Sequence, residues 1–277
     1  MSGFPRTTVG GVSVPRLICG SNWMLGFSHQ TKAKDQFIKE LFDTPQKVAD
    51  VVEVFARAGC NAFMSGPSEF ISQALREVQQ RVGVEMLWIA TPSYPEWGNP
   101  STWKQAVEDT KRLGAQFCFP HHSVTDPLLD RTNRRLDPVL VDHLREVRGM
   151  GMIPGLSTHA PEAITCSDAC DADVATYLQP YNAIGFFCQI ETDWLRRLFH
   201  GAKKPVMTVK PMAAGRLHPE TGLTFVWNSI RDCDMVTAGC MSAYEAEEVI
   251  ELSLACLEGR TPRTDLQFTR SKQALID

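Results

Sequence analysis

The sequence predicts an α/β fold, a closed (β/α)8 barrel. Three observations predict it. Eight short apolar runs rich in β-branched residues alternate with eight amphipathic helical stretches, in units of about 30 residues. The first turn after a strand, Cys19-Gly20-Ser21-Asn22, is not a GxGxxG loop, which weighs against an open dinucleotide-binding sheet. Finally, the Val9–Val14 alternation around Gly10-Gly11 spells a β-hairpin over residues 7–15, ahead of the first barrel strand.

The elements follow in chain order. Leu17-Ile18-Cys19 opens the series and stops at Gly20. A long loop, 20–43, leads to Thr44-Pro45, an N-cap followed by proline in the first helical position. Val48, Val51, Val52, Phe55 and Ala58 then repeat at helical spacing until Gly59. The second strand spans 60–65, and Ser68 caps a helix running to Arg81. Strand 85–90 precedes a helix over 100–113. Strand 116–119 precedes a helix that Asp137-Pro138 starts and Gly149 ends. Strand 152–156 is followed by a short helix from Pro161, and strand 174–178 by a helix over 193–199. Strand 206–209 leads to a weak helix at 225–231, and strand 235–238 to the last helix, 242–257. One domain, 1–277, accommodates all of them, since α/β barrels routinely use roughly 200–250 residues or more.

Composition narrows the function. The chain carries 28 Lys+Arg against 32 Asp+Glu, a net charge of −4, so neither nucleic acid nor an anionic membrane is an expected partner. No apolar run approaches the ~18 residues of a membrane span, and the opening residues lack a signal peptide's apolar stretch. Nine cysteines, an odd number, sit mostly in apolar runs (Cys19, Cys118, Cys240, Cys256) with no CxxC pair. They read as reduced core residues, and the expected location is cytoplasmic. The expected partner is a small-molecule substrate, with a homo-oligomer left open.

A closed barrel places chemistry in the loops after the strands' C-terminal ends. His29, His121, His122 and His159 fall just past expected strand ends, whereas His143, His200 and His218 read as helix or surface positions. Gathered imidazoles suit acid/base work near neutral pH or a divalent metal, although no HxH or HExxH spacing supports the metal. The plainer alternative is loop histidines bonded to backbone carbonyls. His122 is expected to point away from His121, as alternate strand residues do. Lys210 ends the seventh strand beside the small residues Ala213, Ala214 and Gly215, and is expected to hold an anionic group. The alternative for Lys210 is a rim lysine paired with an acidic neighbour. Loop 20–43 supplies Asn22 and Trp23, and a second aromatic loop, Tyr94-Pro95-Glu96-Trp97, follows the third strand. Asn22, Trp23 and Tyr94 are candidate ligand-binding residues for a sugar-like compound, or equally part of a packed lid.

Several segments carry a resemblance. They are Thr8-Val9-Gly10-Gly11-Val12-Ser13-Val14-Pro15-Arg16-Leu17, Gly155-Leu156-Ser157-Thr158-His159, Pro180-Tyr181-Asn182, Val209-Lys210-Pro211-Met212-Ala213-Ala214-Gly215, and Gly239-Cys240-Met241-Ser242 with Glu245, Glu247 and Glu248. In this order the chain resembles the aldo-keto reductase family over nearly its whole length. The resemblance implies a hairpin plugging the barrel bottom, and it adds Ser157 and Thr158 to the candidate ligand-binding residues. It also implies NADP as a cofactor, with Lys210, Gly239, Met241 and Ser242 as its binding residues if a dinucleotide binds. The family reduces carbonyls with an Asp, Tyr, Lys and His tetrad. Here Met64 stands in the Asp position and Pro92 follows Thr91 in the Lys position. No Asp occurs between Asp50 and Asp109, no Tyr before Tyr94, and no Lys between Lys47 and Lys104. Only the histidine is kept, as His121. The expectation is therefore non-redox acid/base chemistry (elimination, hydration or isomerisation) on a small polar carbonyl or sugar-like compound. His121 would be the main catalytic group, assisted by His159 and His29. A divergent NADP-dependent oxidoreductase and a non-catalytic ligand-binding barrel are the alternatives.

Overall fold

The computed structural model describes residues 3–94, 96–263 and 274. Pro95 of the aromatic loop, and the parts of the expected 1–277 unit beyond these residues, lie outside the described residues. The chain opens with strands β1 (Arg6–Val9) and β2 (Val12–Pro15), paired antiparallel with Val9 opposite Val12. Gly10 and Gly11 form the two-residue turn at φ 57° and 83°, the left-handed geometry such hairpins require.

Eight parallel staves follow. They are β3 (Leu17–Gly20), then, after helices α1 (Lys32–Leu41) and α2 (Pro45–Arg57), β4 (Ala62–Ser65). Helix α3 (Glu69–Val82), β5 (Leu87–Ala90), α4 (Pro100–Arg112) and β6 (Phe117–Cys118) come next. A short helix α5 (His122–Thr125) and a small hairpin of β7 (Leu129–Asp130) and β8 (Arg135–Leu136) precede α6 (Pro138–Gly149). The fifth stave is broken into β9 (Ile153–Pro154) and β10 (Leu156–Ser157), and α7 (Glu162–Ala169) follows. The series ends with β11 (Tyr177–Pro180), α8 (Thr192–Gly201), β12 (Val206–Val209), α9 (Pro219–Trp227), β13 (Met235–Gly239) and α10 (Ala243–Glu258).

The sheet closes on itself. β13 pairs with β3, β9 with β6, and β10 with β11, all parallel. The break in the fifth stave lies at Gly155, where a Cβ would come 2.5 Å from the Phe119 ring. Phe119 fills the barrel interior with Ile18, Ala62, Met64, Ile89, Phe117 and Met207. The stave therefore has glycine because the aromatic ring takes the space a side chain would use. The same interior cluster contains Val9 and Val14 of the hairpin, and a Cβ on Gly10 would meet Ile153 Cγ2 at 2.7 Å. Ile153 begins the fifth stave, so the hairpin seals the end where strands start and leaves the other end open.

The helices pack outside. Val48, Val51, Val52 and Phe55 of α2 are buried, matching their helical spacing. Ser68 caps α3 by accepting from Ile71 N, and Asp137 caps α6 by accepting from Val139 N. Four expectations need correction. Loop 20–43 contains α1, begun by Thr31, whose side chain accepts from Lys34 N. The stretch after β6 contains α5 and a hairpin before α6 begins. The sixth stave starts at Tyr177 rather than 174, and α9 starts at Pro219 rather than 225, where proline again occupies the first turn. His143, read as a helix or surface position, is a helix position, fully buried in α6 with Leu140, Leu144 and Val147.

Candidate active site

The open end of the barrel holds a cavity of about 900 Å³. Residues from all eight staves reach it: Gly20 in β3 and Asn22 after it, Met64 in β4, Thr91 after β5, His121 after β6, Ser157 in β10, Leu178 in β11, Lys210 after β12 and Thr237 in β13. That convergence follows from closure, because every stave points its C-terminal end at the same axis.

Lys210 sits in the left-handed region at φ 63°, as do Ala213 and Ala214, three and four residues later, at 48° and 55°. Non-glycine residues adopt this conformation only where the surroundings impose it, at roughly 1–2 kcal/mol each. The bent segment brings Lys210 Nζ 3.0 Å from His29 Nε2, and His29 itself has φ 55°. Asn22 Nδ2 donates toward the same His29 nitrogen at 3.2 Å. Gln30 donates to Ala214 O, and Arg216 donates to His29 O and Ala213 O, so the two loops are stitched together. Phe187 covers the lysine, with Nζ 5.0 Å from its ring centre. Lys210 thus has an imidazole and an aromatic face beside it, not the acidic neighbour the plainer reading supplied. Burial lowers its pKa to about 8.

Across the mouth stand three imidazoles. His121 and His122 have ring centres 4.1 Å apart, and His122 stacks on His159 at 4.0 Å. The alternation expected of a strand fails here because His121 is the N-cap of α5 and His122 its first residue. Both rings therefore line the cavity. Ser123 Oγ lies 2.9 Å from His121 Nδ1 and 3.1 Å from Ser93 Oγ, which leaves His121 Nε2 free of protein partners among the described residues. Asp126 anchors the row from behind. Its carboxylate accepts from the Thr158 hydroxyl and from His159 N, and lies 3.9 Å from His122 Nδ1.

Electrostatics follow from crowding. Burial, then the charges of its neighbours, pulls His29 to about 4, His121 to about 4 and His159 to about 3. Burial also lowers His122, against an upward pull from Asp126. At neutral pH these imidazoles are uncharged, and Lys210 is brought closer to neutrality than an ordinary lysine.

The remaining sequence candidates divide. Asn22, Trp23, His29, His121, Ser157, His159, Lys210 and Gly239 line the one cavity. Trp23 lies close over Gly239, where a Cβ would come 3.0 Å from its ring. Tyr94 does not line the cavity. Its hydroxyl is 3.1 Å from His143 Nδ1 and the residue is 3 % exposed, so it is the packed-lid residue. Thr158 is fully buried, its hydroxyl given to Asp126, and it positions rather than lines. Met241 and Ser242 also lie off the cavity lining. Ser242 accepts from Glu245 N, while the Met241 N–H donates to the Glu245 carboxylate at 2.6 Å. That acidic group occupies the helix end a cofactor phosphate would need, so the Met241–Glu245 segment does not fit the phosphate of NADP. Met64 and Pro92, both cavity-lining, offer no ionisable proton. Among the described residues no three His, Cys, Asp or Glu side chains are placed to hold a metal.

Sequence reasoning missed His122 as a cavity residue, Asp126, Phe187 and Thr237. The Thr237 hydroxyl is buried without a partner and its residue lines the cavity. Asp126 carried a weak signal only, its i, i+4 spacing from His122.

Comparison places the fold. No protein-family model and no curated protein matches this chain. Solved structures do. A protein of Pseudomonas aeruginosa described as an aldo-keto reductase aligns at a TM-score of 0.64 and 14 % identity, covering 91 % of this chain and 96 % of that one. An aldo/keto reductase from Brucella melitensis aligns at 0.60 and 12 %, covering 90 % and 93 %. Ribulose-1,5-bisphosphate carboxylase/oxygenase from Pyrococcus horikoshii aligns at 0.56 and 10 %, covering 91 % of this chain and 60 % of that one. The chain shares the aldo-keto-reductase-like barrel, and at these identities the likeness is one of fold.

Proposed function

We propose that this protein is an enzyme acting on a small polar carbonyl or sugar-like compound by non-redox acid/base chemistry: elimination, hydration or isomerisation. The observation that carries the proposal is one cavity lined by Lys210, His29, His121, His122 and His159, with the non-ionisable Met64 and Pro92 also in its wall. In this reading the Lys210 ammonium draws the carbonyl oxygen or an anionic group, and stabilises the negative charge that develops there when an adjacent C–H bond breaks. His121 takes the proton at Nε2 in the tautomer whose Nδ1–H donates to Ser123 Oγ. His159 and His29 hold hydroxyl groups of the substrate, and Thr237 supplies a further hydroxyl partner. Trp23 offers an aromatic face to an apolar edge of the ligand.

Reduction with NADP is the second reading, favoured by the likeness to structures described as aldo-keto reductases. Glu245 at the α10 end stands against it. One experiment separates the two. Hydroxycarbonyl compounds and sugar phosphates are incubated with the protein in D2O, and loss of carbon-bound proton signals is followed by NMR, with NADPH consumption measured in parallel. Exchange or turnover that His121→Ala abolishes without lowering the melting temperature is the expected result. NADPH-dependent reduction with kcat in the usual range of roughly 1–10³ s⁻¹ overturns the non-redox reading.

A further inference from the structure

Lys210 has a position unusual for a residue whose only task is to hold an anion. It follows β12 directly at the barrel mouth, it is held in a left-handed backbone conformation, and its Nζ is capped by the Phe187 ring at 5.0 Å. Its close polar neighbour is a neutral imidazole, His29 Nε2 at 3.0 Å. The carboxylates nearest this end of the cavity are already engaged: Asp35 with Ser28, and Asp126 with Thr158 and His159. The other charged or titratable groups lining the cavity are His121, His122, His159, Glu69, Asp109 and Arg112, and both of those carboxylates pair with Arg112; Arg216 lies beside His29. A lysine in such surroundings sheds its proton more readily than one in water, and a free amine is a nucleophile toward carbonyl carbon.

We propose that Lys210 forms a covalent imine with the carbonyl group of a small aldehyde or ketone substrate. The inference rests on the acid/base reading of the same cavity and specifies how the carbonyl is activated. The Lys210 ammonium first gives its proton to water. The Nζ lone pair then attacks the carbonyl carbon, the C–N bond forms, the C=O π pair moves to oxygen, and a proton passes from Nζ to that oxygen. A second proton converts that hydroxyl to a leaving water, the C–O bond breaks, and a protonated imine remains. Overall one ammonium and one carbonyl yield one iminium ion and one water. The iminium keeps the positive charge where the ammonium stood, and accepts the electron pair released when a base removes the adjacent proton. His121 and His159, neutral across the cavity, are the bases within the same enclosure.

The test traps the iminium on the native protein with glyoxylate and sodium cyanoborohydride at pH 7, followed by peptide mapping. Cyanoborohydride delivers hydride to the iminium carbon and leaves a stable secondary amine. Burial brings Lys210 to about 8 from an ordinary lysine value of 10.5. At pH 7 the free-amine fraction is then on the order of 10²-fold above that of a surface lysine. Modification of Lys210 on the order of 10²-fold faster than Lys203 is expected, with the preference lost in urea. Equal modification of Lys210 and Lys203 in the native protein overturns the imine. The acid/base reading would survive that result, because it needs Lys210 only as a charge; the exchange measurement with His121→Ala decides it separately.

Discussion

Replacing Asp126 by asparagine tests whether the imidazole row is held from behind. The carboxylate accepts the Thr158 hydroxyl at 2.5 Å and His159 N at 3.2 Å, through both oxygens. Asparagine keeps one acceptor and turns the other into an NH2, which meets a donor whichever way the amide is turned. A hydrogen bond to a charged group contributes about 1.5–3 kcal/mol. For 277 residues, about 2.1 cal/mol/K per residue gives an unfolding entropy near 0.6 kcal/mol/K. The melting temperature should therefore fall by about 3–5 °C. The His122 pKa should fall further too, because Asp126 is the charge that raises it. Thermal unfolding followed by circular dichroism gives the first quantity, and NMR titration of the ring protons gives the second. A melting temperature within 1 °C of wild type, together with an unmoved His122 titration, would show that Asp126 holds nothing.

Two pH predictions follow from the buried bases. The charge of Lys210 is present below its value of about 8 and lost above it, so binding of malonate, measured calorimetrically, should weaken as pH rises through about 8; affinity that stays constant to pH 9 refutes Lys210 as the anion holder. His143 is held near 4 by burial, below its ordinary 6.5, so the stability it secures is present above pH 6.5 and is lost as pH falls toward 4. At pH 5 the loss amounts to up to about 2 kcal/mol, and His143→Gln should lose correspondingly less stability between pH 7 and 5 than wild type does.

Where the chain announces an element locally, the sequence is a sufficient guide. Thr44-Pro45, Ser68 and Asp137-Pro138 mark helix starts that the structure keeps within a residue. Helix α1 escapes because its apolar residues do not describe a buried face: Ile38 is buried while Phe37 and Leu41 point to solvent. His143 shows a signal present but unread. Leu140, His143, Leu144 and Val147 repeat at 3, 4 and 7, which places the histidine on the buried stripe of α6. Its partner Tyr94 lies 49 positions away, and nothing local joins the two.

The cavity's composition was legible for the same reason the barrel was: residues at stave ends converge once the sheet is closed. Their chemistry was not. A histidine read alone titrates near neutrality, and that property made His121 the natural proton carrier at pH 7. In the folded chain His29, His121, His122, His159 and Lys210 share one enclosure, and each proton added makes the next more costly. The first proton goes to the most basic group, the lysine, and its charge then helps hold the imidazoles neutral. Imidazoles with values of about 3 to 4 are weak bases but are never blocked by protonation at physiological pH. A base of that kind serves only if the carbon acid beside it is made unusually acidic, and a cation bonded to that carbon does this more strongly than one merely nearby. The low basicity of the histidines therefore favours the covalent role proposed for Lys210 over a purely electrostatic one.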